Sequence, residues 1–267
     1  MDKSNNRPLI LVTNDDGYKA KGLSKLIDIA REFGNVVVMA AAESQSGKSH
    51  SITIKDPIRY KKVEESPEFT RYVIKGTPAD GVKLAFCSLM ERKPDILLSG
   101  INHGTNSSSS VLYSGTMGAA LEGAVHGIPS VGFSLLDYGP DADFDASEIY
   151  VKQIIHHLID KGLPPGICLN VNIPALPRKG LQGIRICRQT NGYWLENFET
   201  RQDPRGSNYS WLTGRFINRE PDATDTDEFA LEHGYLSVVP VNTDFTAHGL
   251  IDRMKEWESV KIIHNGR

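Results

Sequence analysis

At 267 residues, 39% hydrophobic and 24% charged, the chain has the composition of a soluble globular protein, long enough for one α/β domain or one domain with a small appendage. A formal net charge of −3 removes any general electrostatic reason to bind nucleic acid or an anionic membrane, and no stretch approaches the roughly 18 apolar residues that span a bilayer. Three widely spaced cysteines, Cys87, Cys168 and Cys187, fit neither a disulfide framework nor a zinc ribbon and read as buried thiols; the amino end, MDKSNNRP, lacks the apolar run of a secretory signal, so a cytoplasmic location is expected.

The first predicted element is a buried strand over 9–13, and it ends abruptly. Asn14, Asp15 and Asp16 put two like charges side by side, where repulsion and desolvation both raise their cost. Neighbouring side chains on a strand point to opposite faces, so the pair converges on one target only if the chain has left the strand, which Gly17 allows. Two carboxylates there suit a divalent cation with hard oxygen ligands, Mg²⁺ or Mn²⁺ in type. A turn in which one Asp caps the next helix and the other is solvated is the alternative. A helix over 21–33 and a strand over 35–41 follow. The segment AAAESQSGKSHS (40–51) nearly matches the nucleotide-binding pattern G-x-x-x-x-G-K-[ST]. Ala42 stands at its first glycine, however, and SITIKDPIRY beyond it alternates like a strand where that pattern must open a helix. The loop is expected instead to offer a hydroxyl such as Ser46 to the Asp pair.

Helical spacing recurs over 79–91, with Cys87 and Arg92 too close for a cysteine phosphatase loop. A strand over 95–99 then enters a loop whose Asn102 and Asn106 lie among glycines. Their amides face the crevice beyond the carboxyl ends of the strands, where open α/β sheets bind ligands. Ser107 to Ser110 is low in complexity and reads as a flexible loop. Ser114-Gly115-Thr116 opens a helical run over 115–126; free N–H groups and the helix dipole there favour phosphate, while capping and close packing explain the same residues equally well. A strand over 129–135, a helix over 147–161 with Tyr150, Val151, Ile154, Ile155, Leu158 and Ile159 on one face, and a strand in GICLNVNIP extend the alternation of a parallel, doubly wound sheet. Residues 188–215 are aromatic, polar and turn-rich. They read as one or two hairpins forming an arm within a single 1–267 domain, with aromatics expected to pack on another subunit, since a lone hairpin is marginal in water.

Taken together and in order, ILVTNDDG, the SQSG loop, KGTPADGV, PDILLSGINHGTN, YSGTMGAALEG, QDPRG before Trp211 and NTDFTAH resemble the SurE family of metal-dependent nucleotidases over nearly the whole chain. The resemblance implies a Rossmann-like, mostly parallel core, an extended hairpin arm, a swapped carboxyl-terminal element and a homodimer or homotetramer. It also implies one divalent metal ion per subunit on Asp15, Asp16, Ser46 and Asn102, phosphate contacts from Asn106, Ser114, Gly115 and Thr116, and Asp244 and His248 near the reaction centre. The expected reaction is hydrolysis of nucleoside 5′- or 3′-monophosphates, with short polyphosphate as a further substrate. Asp15 binds metal or attacks directly, and His248, oriented by Asp244 if the two share a helical face, protonates the departing ribose oxygen. A non-catalytic metal-dependent nucleotide-binding protein and a sugar-nucleotide transferase are the other classes; phosphate release from simple monophosphates separates all three. Ala40-Ala41-Ala42-Glu43 stands where the family usually has APDR, which bears on base preference. Four serines at 107–110 replace a glycine and acidic residues, and Lys21 replaces a proline.

Overall fold

Apolar runs without alternation form strands buried on both faces, and the amphipathic segments between them form the helices that cover those faces. The computed structural model describes residues 7–139 and 141–259, so the MDKSNN part of the amino-terminal reading lies outside the described residues. In chain order the elements are β1 (Leu9–Asn14), α1 (Lys21–Phe33), β2 (Asn35–Ala41), β3 (Arg59–Ser66), β4 (Phe69–Lys75), α2 (Pro78–Leu84), β5 (Ile96–His103), α3 (Gly115–Val125) and β6 (Ser130–Leu135). There follow α4 (Glu148–Lys161), β7 (Ile167–Ile173), β8 (Gly183–Ile186), β9 (Gly192–Gln202), β10 (Asn208–Asn218), α5 (Asp227–Glu232), β11 (Tyr235–Asn242) and α6 (His248–Met254).

Nine strands form one sheet in the order β3-β4-β2-β1-β5-β6-β7-β11-β8. All neighbours run parallel except β3 with β4 and β7 with β11. From β1 the chain goes first to β2 on one side and later to β5 on the other, so the order reverses between β1 and β5. The crevice at such a reversal is where this class of sheet binds ligands. Strand β1 shows why its sequence does not alternate: Ile10 and Val12 pack with Leu23, Leu26 and Val151 on one face, and Leu11 with Met39, Val82 and Ala119 on the other. Burying each of the larger of these side chains contributes about 1.5–3 kcal/mol relative to exposure. Among the described residues no helix is long and apolar enough to cross a membrane.

Five expectations are corrected. Residues 51–58 form no strand; β3 begins only at Arg59, and the preceding segment is tied down where Asp80 accepts from Thr53 N and Oγ1 at 2.9 and 2.6 Å and Thr77 Oγ1 donates to Ser51 O at 2.7 Å. The 79–91 helix ends as an α-helix at Leu84 and closes with one wider turn over Ala85–Leu89. Cys87 is exposed, while Cys168 and Cys187 are buried. Ser107–Ser110 is no flexible loop, because Ser107 and Ser108 are buried and a 3-10 turn begins at Ser108. Ser107 Oγ donates to Glu228 Oε1 at 2.5 Å, Ser108 N to Asp227 Oδ2 at 2.8 Å and Ser108 Oγ to Thr190 O at 2.9 Å. The arm is a single antiparallel hairpin, β9 with β10, that forms its own two-stranded sheet and extends three residues beyond 215.

Candidate active site

At the carboxyl end of β1 the chain leaves the sheet through a tight turn. Asn14 Nδ2 donates to Gly17 O at 2.9 Å, and Gly17 adopts φ +102°, a conformation that favours glycine. Asp15 and Asp16 thereby escape the alternation that would have separated them. The Asp15 carbonyl accepts the Gln45 N–H at 2.7 Å, which draws the 42–50 loop, and with it Ser46, over the turn. Asp16 Oδ2 accepts the His103 N–H at 3.0 Å, which joins it to the end of β5 beside Asn102. Between Ser99 and Asn102 the pairing of β5 with β6 shifts register, and this irregularity sets Asn102 opposite Ser134. Asn102 Nδ2 donates to Gly104 O at 2.9 Å, so Oδ1 is the atom left for a cation. Ser46 is exposed, its Oγ 2.9 Å from Ser44 Oγ.

The Asp15 carboxylate sits against the start of α3. Thr116 Oγ1 donates to its Oδ1 at 2.5 Å, and the backbone N–H groups of Gly115 and Thr116 add hydrogen bonds that favour the ionised form. A Cβ on Gly115 would stand 2.9 Å from the Asp15 carboxylate, so only glycine permits this approach. The anion expected at this helix start is therefore, in this structure, the protein's own: the Gly115 and Thr116 donors read as phosphate ligands are given to Asp15. Ser114 caps the helix by accepting Met117 N–H at 3.0 Å, and its own O–H stays available.

Burial pushes the Asp15 carboxyl above its ordinary range despite these bonds. Burial, reinforced by the Asp15 charge, pushes Asp16 up to about 6. The influences on the pair are burial, mutual repulsion and hydrogen bonds from neutral groups, so a cation is the missing compensation. Among the described residues no three His, Cys, Asp or Glu side chains cluster as a metal site. The two carboxylates are joined by backbone hydrogen bonds to the segments that carry the Ser46 hydroxyl and the Asn102 amide, and oxygen ligands of these kinds suit a hard divalent ion such as Mg²⁺ or Mn²⁺ rather than zinc.

Asn106 is buried next to this cluster, and its Nδ2 donates to Ser134 Oγ at 2.7 Å. Its main chain bonds to Asn170 and Asn172 of β7, residues that the sequence reading missed although two amides at i and i+2 on an apolar strand were a signal. Asp244 and His248 stand apart. They pair with each other, His248 Nε2 to Asp244 Oδ2 at 2.7 Å, on an exposed segment. Hydrogen bonds from Thr246 and His248 hold Asp244 down at about 2. They do not share a helical face, because Asp244 lies in the turn before α6. Among the described residues no hydrogen bond links either to the Asp15 cluster; Ser114 and the neighbouring Phe245 do border one cavity of about 640 Å³.

A family model described as "Survival protein SurE" matches residues 10–196. The chain is 49% identical to the 5′-nucleotidase SurE of Christiangramia forsetii over 253 residues, 94% of this chain and 97% of that one. It is 49% identical to the 5′-nucleotidase SurE of Phocaeicola vulgatus over 251 residues, again 94% and 97%. The crystal structure of SurE protein from Aquifex aeolicus superposes with a TM-score of 0.81 at 34% identity, covering 94% of this chain and all of that one.

Proposed function

The chain belongs to the SurE family, and from that premise we propose that it is a metal-dependent 5′-nucleotidase that hydrolyses nucleoside monophosphates to nucleoside and phosphate. The observation that carries the reading is the Asp15–Asp16 pair at the sheet's reversal point, Asp15 buried and Asp16 half-buried, uncompensated in charge and held by neutral hydrogen-bond donors. Asp15, Asp16, Ser46 and Asn102 hold one Mg²⁺ or Mn²⁺ per subunit. When bound, the ion supplies Lewis acidity, neutralising phosphate charge and acidifying water. The Ser114 O–H and the second amide hydrogen of Asn106 hold phosphate oxygens. Gly115 and Thr116 act on the same site by keeping Asp15 ionised and aimed. Asp15, fixed by Thr116 at the start of α3, serves as a ligand of the ion or attacks the phosphate directly. His248, tied through Nε2 to Asp244, presents Nδ1 to the departing ribose oxygen. The arm and the segment around α6 join subunits into a homodimer or homotetramer, with the carboxyl-terminal element exchanged between them.

The test is phosphate release from nucleoside 5′- and 3′-monophosphates with Mg²⁺, Mn²⁺ or EDTA. Wild-type protein is expected to release phosphate only with metal, and Asp16→Asn to lose nearly all of that activity while melting at the wild-type temperature. Retention of the wild-type rate in Asp16→Asn would sink the ligand assignment. Metal-dependent nucleotide binding without phosphate release would replace the enzyme by a binding protein.

A further inference from the structure

Two asparagines of β7 close a ring of hydrogen bonds on the main chain of Asn106. Asn172 Oδ1 accepts the Asn106 N–H at 2.7 Å, Asn172 Nδ2 donates to Asn170 Oδ1 at 3.0 Å, and Asn170 Nδ2 donates to the Asn106 carbonyl at 2.8 Å. Exposure is 5% at Asn106, 2% at Asn170 and 0% at Asn172, so each bond is made away from water, where an unmade one would orphan an amide. Spacing of two puts both β7 amides on one face of the sheet, while Val171 and Ile173 join the apolar core on the other. The next strand adds a third hold: Ser134, opposite Asn172 in the β6–β7 register, accepts from the Asn106 side chain.

Bonds to both the N–H and the C=O of one residue fix the peptide planes on either side of its Cα, and so fix the direction in which its side chain leaves. Two buried amides on a central strand cost desolvation that valine would avoid, and what they secure is that direction. We infer that Asn170 and Asn172 are positioning residues for the nucleotidase reaction, acting through Asn106; this rests on the reading of Asn106 as a phosphate contact.

The ring uses only the main chain of Asn106, so Asn106→Ala removes the phosphate contact and leaves the frame in place. That makes a double-mutant cycle informative. Asn172→Ala and Asn170→Ala are each expected to lower kcat/KM for a nucleoside 5′-monophosphate about 10- to 100-fold, the scale of a small misplacement at a reacting centre. Mn²⁺ affinity should stay near wild type, and Asn106→Ala/Asn172→Ala should be no slower than Asn106→Ala alone. Asn170→Asp keeps the volume but sets an acceptor against the Asn106 carbonyl, and it should show the same loss if an alanine variant folds poorly. Losses that multiply in the double variant, or that track Mn²⁺ affinity and melting temperature, would overturn the inference alone. An Asn106→Ala enzyme working at full rate would overturn the phosphate reading and the inference with it.

Discussion

Asp15 carries opposed influences: burial favours its protonated form, and the α3 start favours its anion. The hydroxyl of Thr116 is the part of that balance one substitution can remove. In Thr116→Val the carboxyl loses a donor to its charged form, so its pKa rises further. A cation competes with protons for the same oxygens, so the acid limb of the pH–rate profile moves to higher pH, and activity falls more at pH 6 than at pH 8. A profile that drops evenly across pH would show that Thr116 acts by packing. Asp16 extends the argument to the wild type. With its carboxyl at about 6, cation affinity falls at least about tenfold per unit below that pH, Asp16 giving up one proton per ion bound. Mn²⁺ titrations between pH 5 and 8 read this slope directly, and a flat line would remove Asp16 from the ligand set.

Among the elements, α3 links the site to its surroundings along its whole length. Its first turn holds Asp15, Gly118 lets the backbone of Ser49 and His50 pack against it, and Glu122 further along is buried beneath His50, Lys83 and His126. Burial works to raise the Glu122 carboxyl, yet hydrogen bonds from His50 and Lys83 outweigh it and hold it at about 2. Since this lies below the ordinary glutamate value of 4.5, its contribution to stability is present above pH 4.5 and is lost as pH falls towards 2. Glu122→Gln should cost about 1–3 kcal/mol in urea unfolding at pH 7, and the difference from wild type should shrink on acidification. The alternation of β1, α1, β2, β5, α3, β6, α4 and β7 was legible because each is a local period, and the Asp pair because nothing local justified it; β3 was expected too early in the chain and β4 was not read. Ser107–Ser110 was not: its composition says loop, and only partners such as Asp227, 119 residues from Ser108, make it rigid. Strand β11 hid behind Pro240, which the sheet tolerates because β8 ends its pairing opposite Val238. The His103 N–H that holds Asp16 is a backbone group, and no residue code announces it.

For the whole molecule, His248 is the residue whose position bears on assembly. Within one chain its partner is Asp244, both are exposed, and among the described residues α6 has its main contacts with the turn that follows it. That segment exposes Leu250, Ile251, Met254 and Trp257, and the arm exposes Phe198, Trp211 and Leu212, apolar surface that the proposed assembly would cover. Replacing Phe198 and Trp211 by Ser should therefore reduce the mass measured by light scattering. If the carboxyl-terminal element is exchanged, His248 serves the partner's Asp pair, and mixing distinguishes the two arrangements. Asp16→Asn and His248→Ala protomers, each inactive or nearly so alone, are unfolded and refolded together. With His248 acting across the interface, a mixed dimer concentrates both lesions in one site and leaves the other intact, so random reassortment returns about a quarter of wild-type activity. With His248 acting in its own chain every site in every dimer keeps one lesion, and mixing returns nothing.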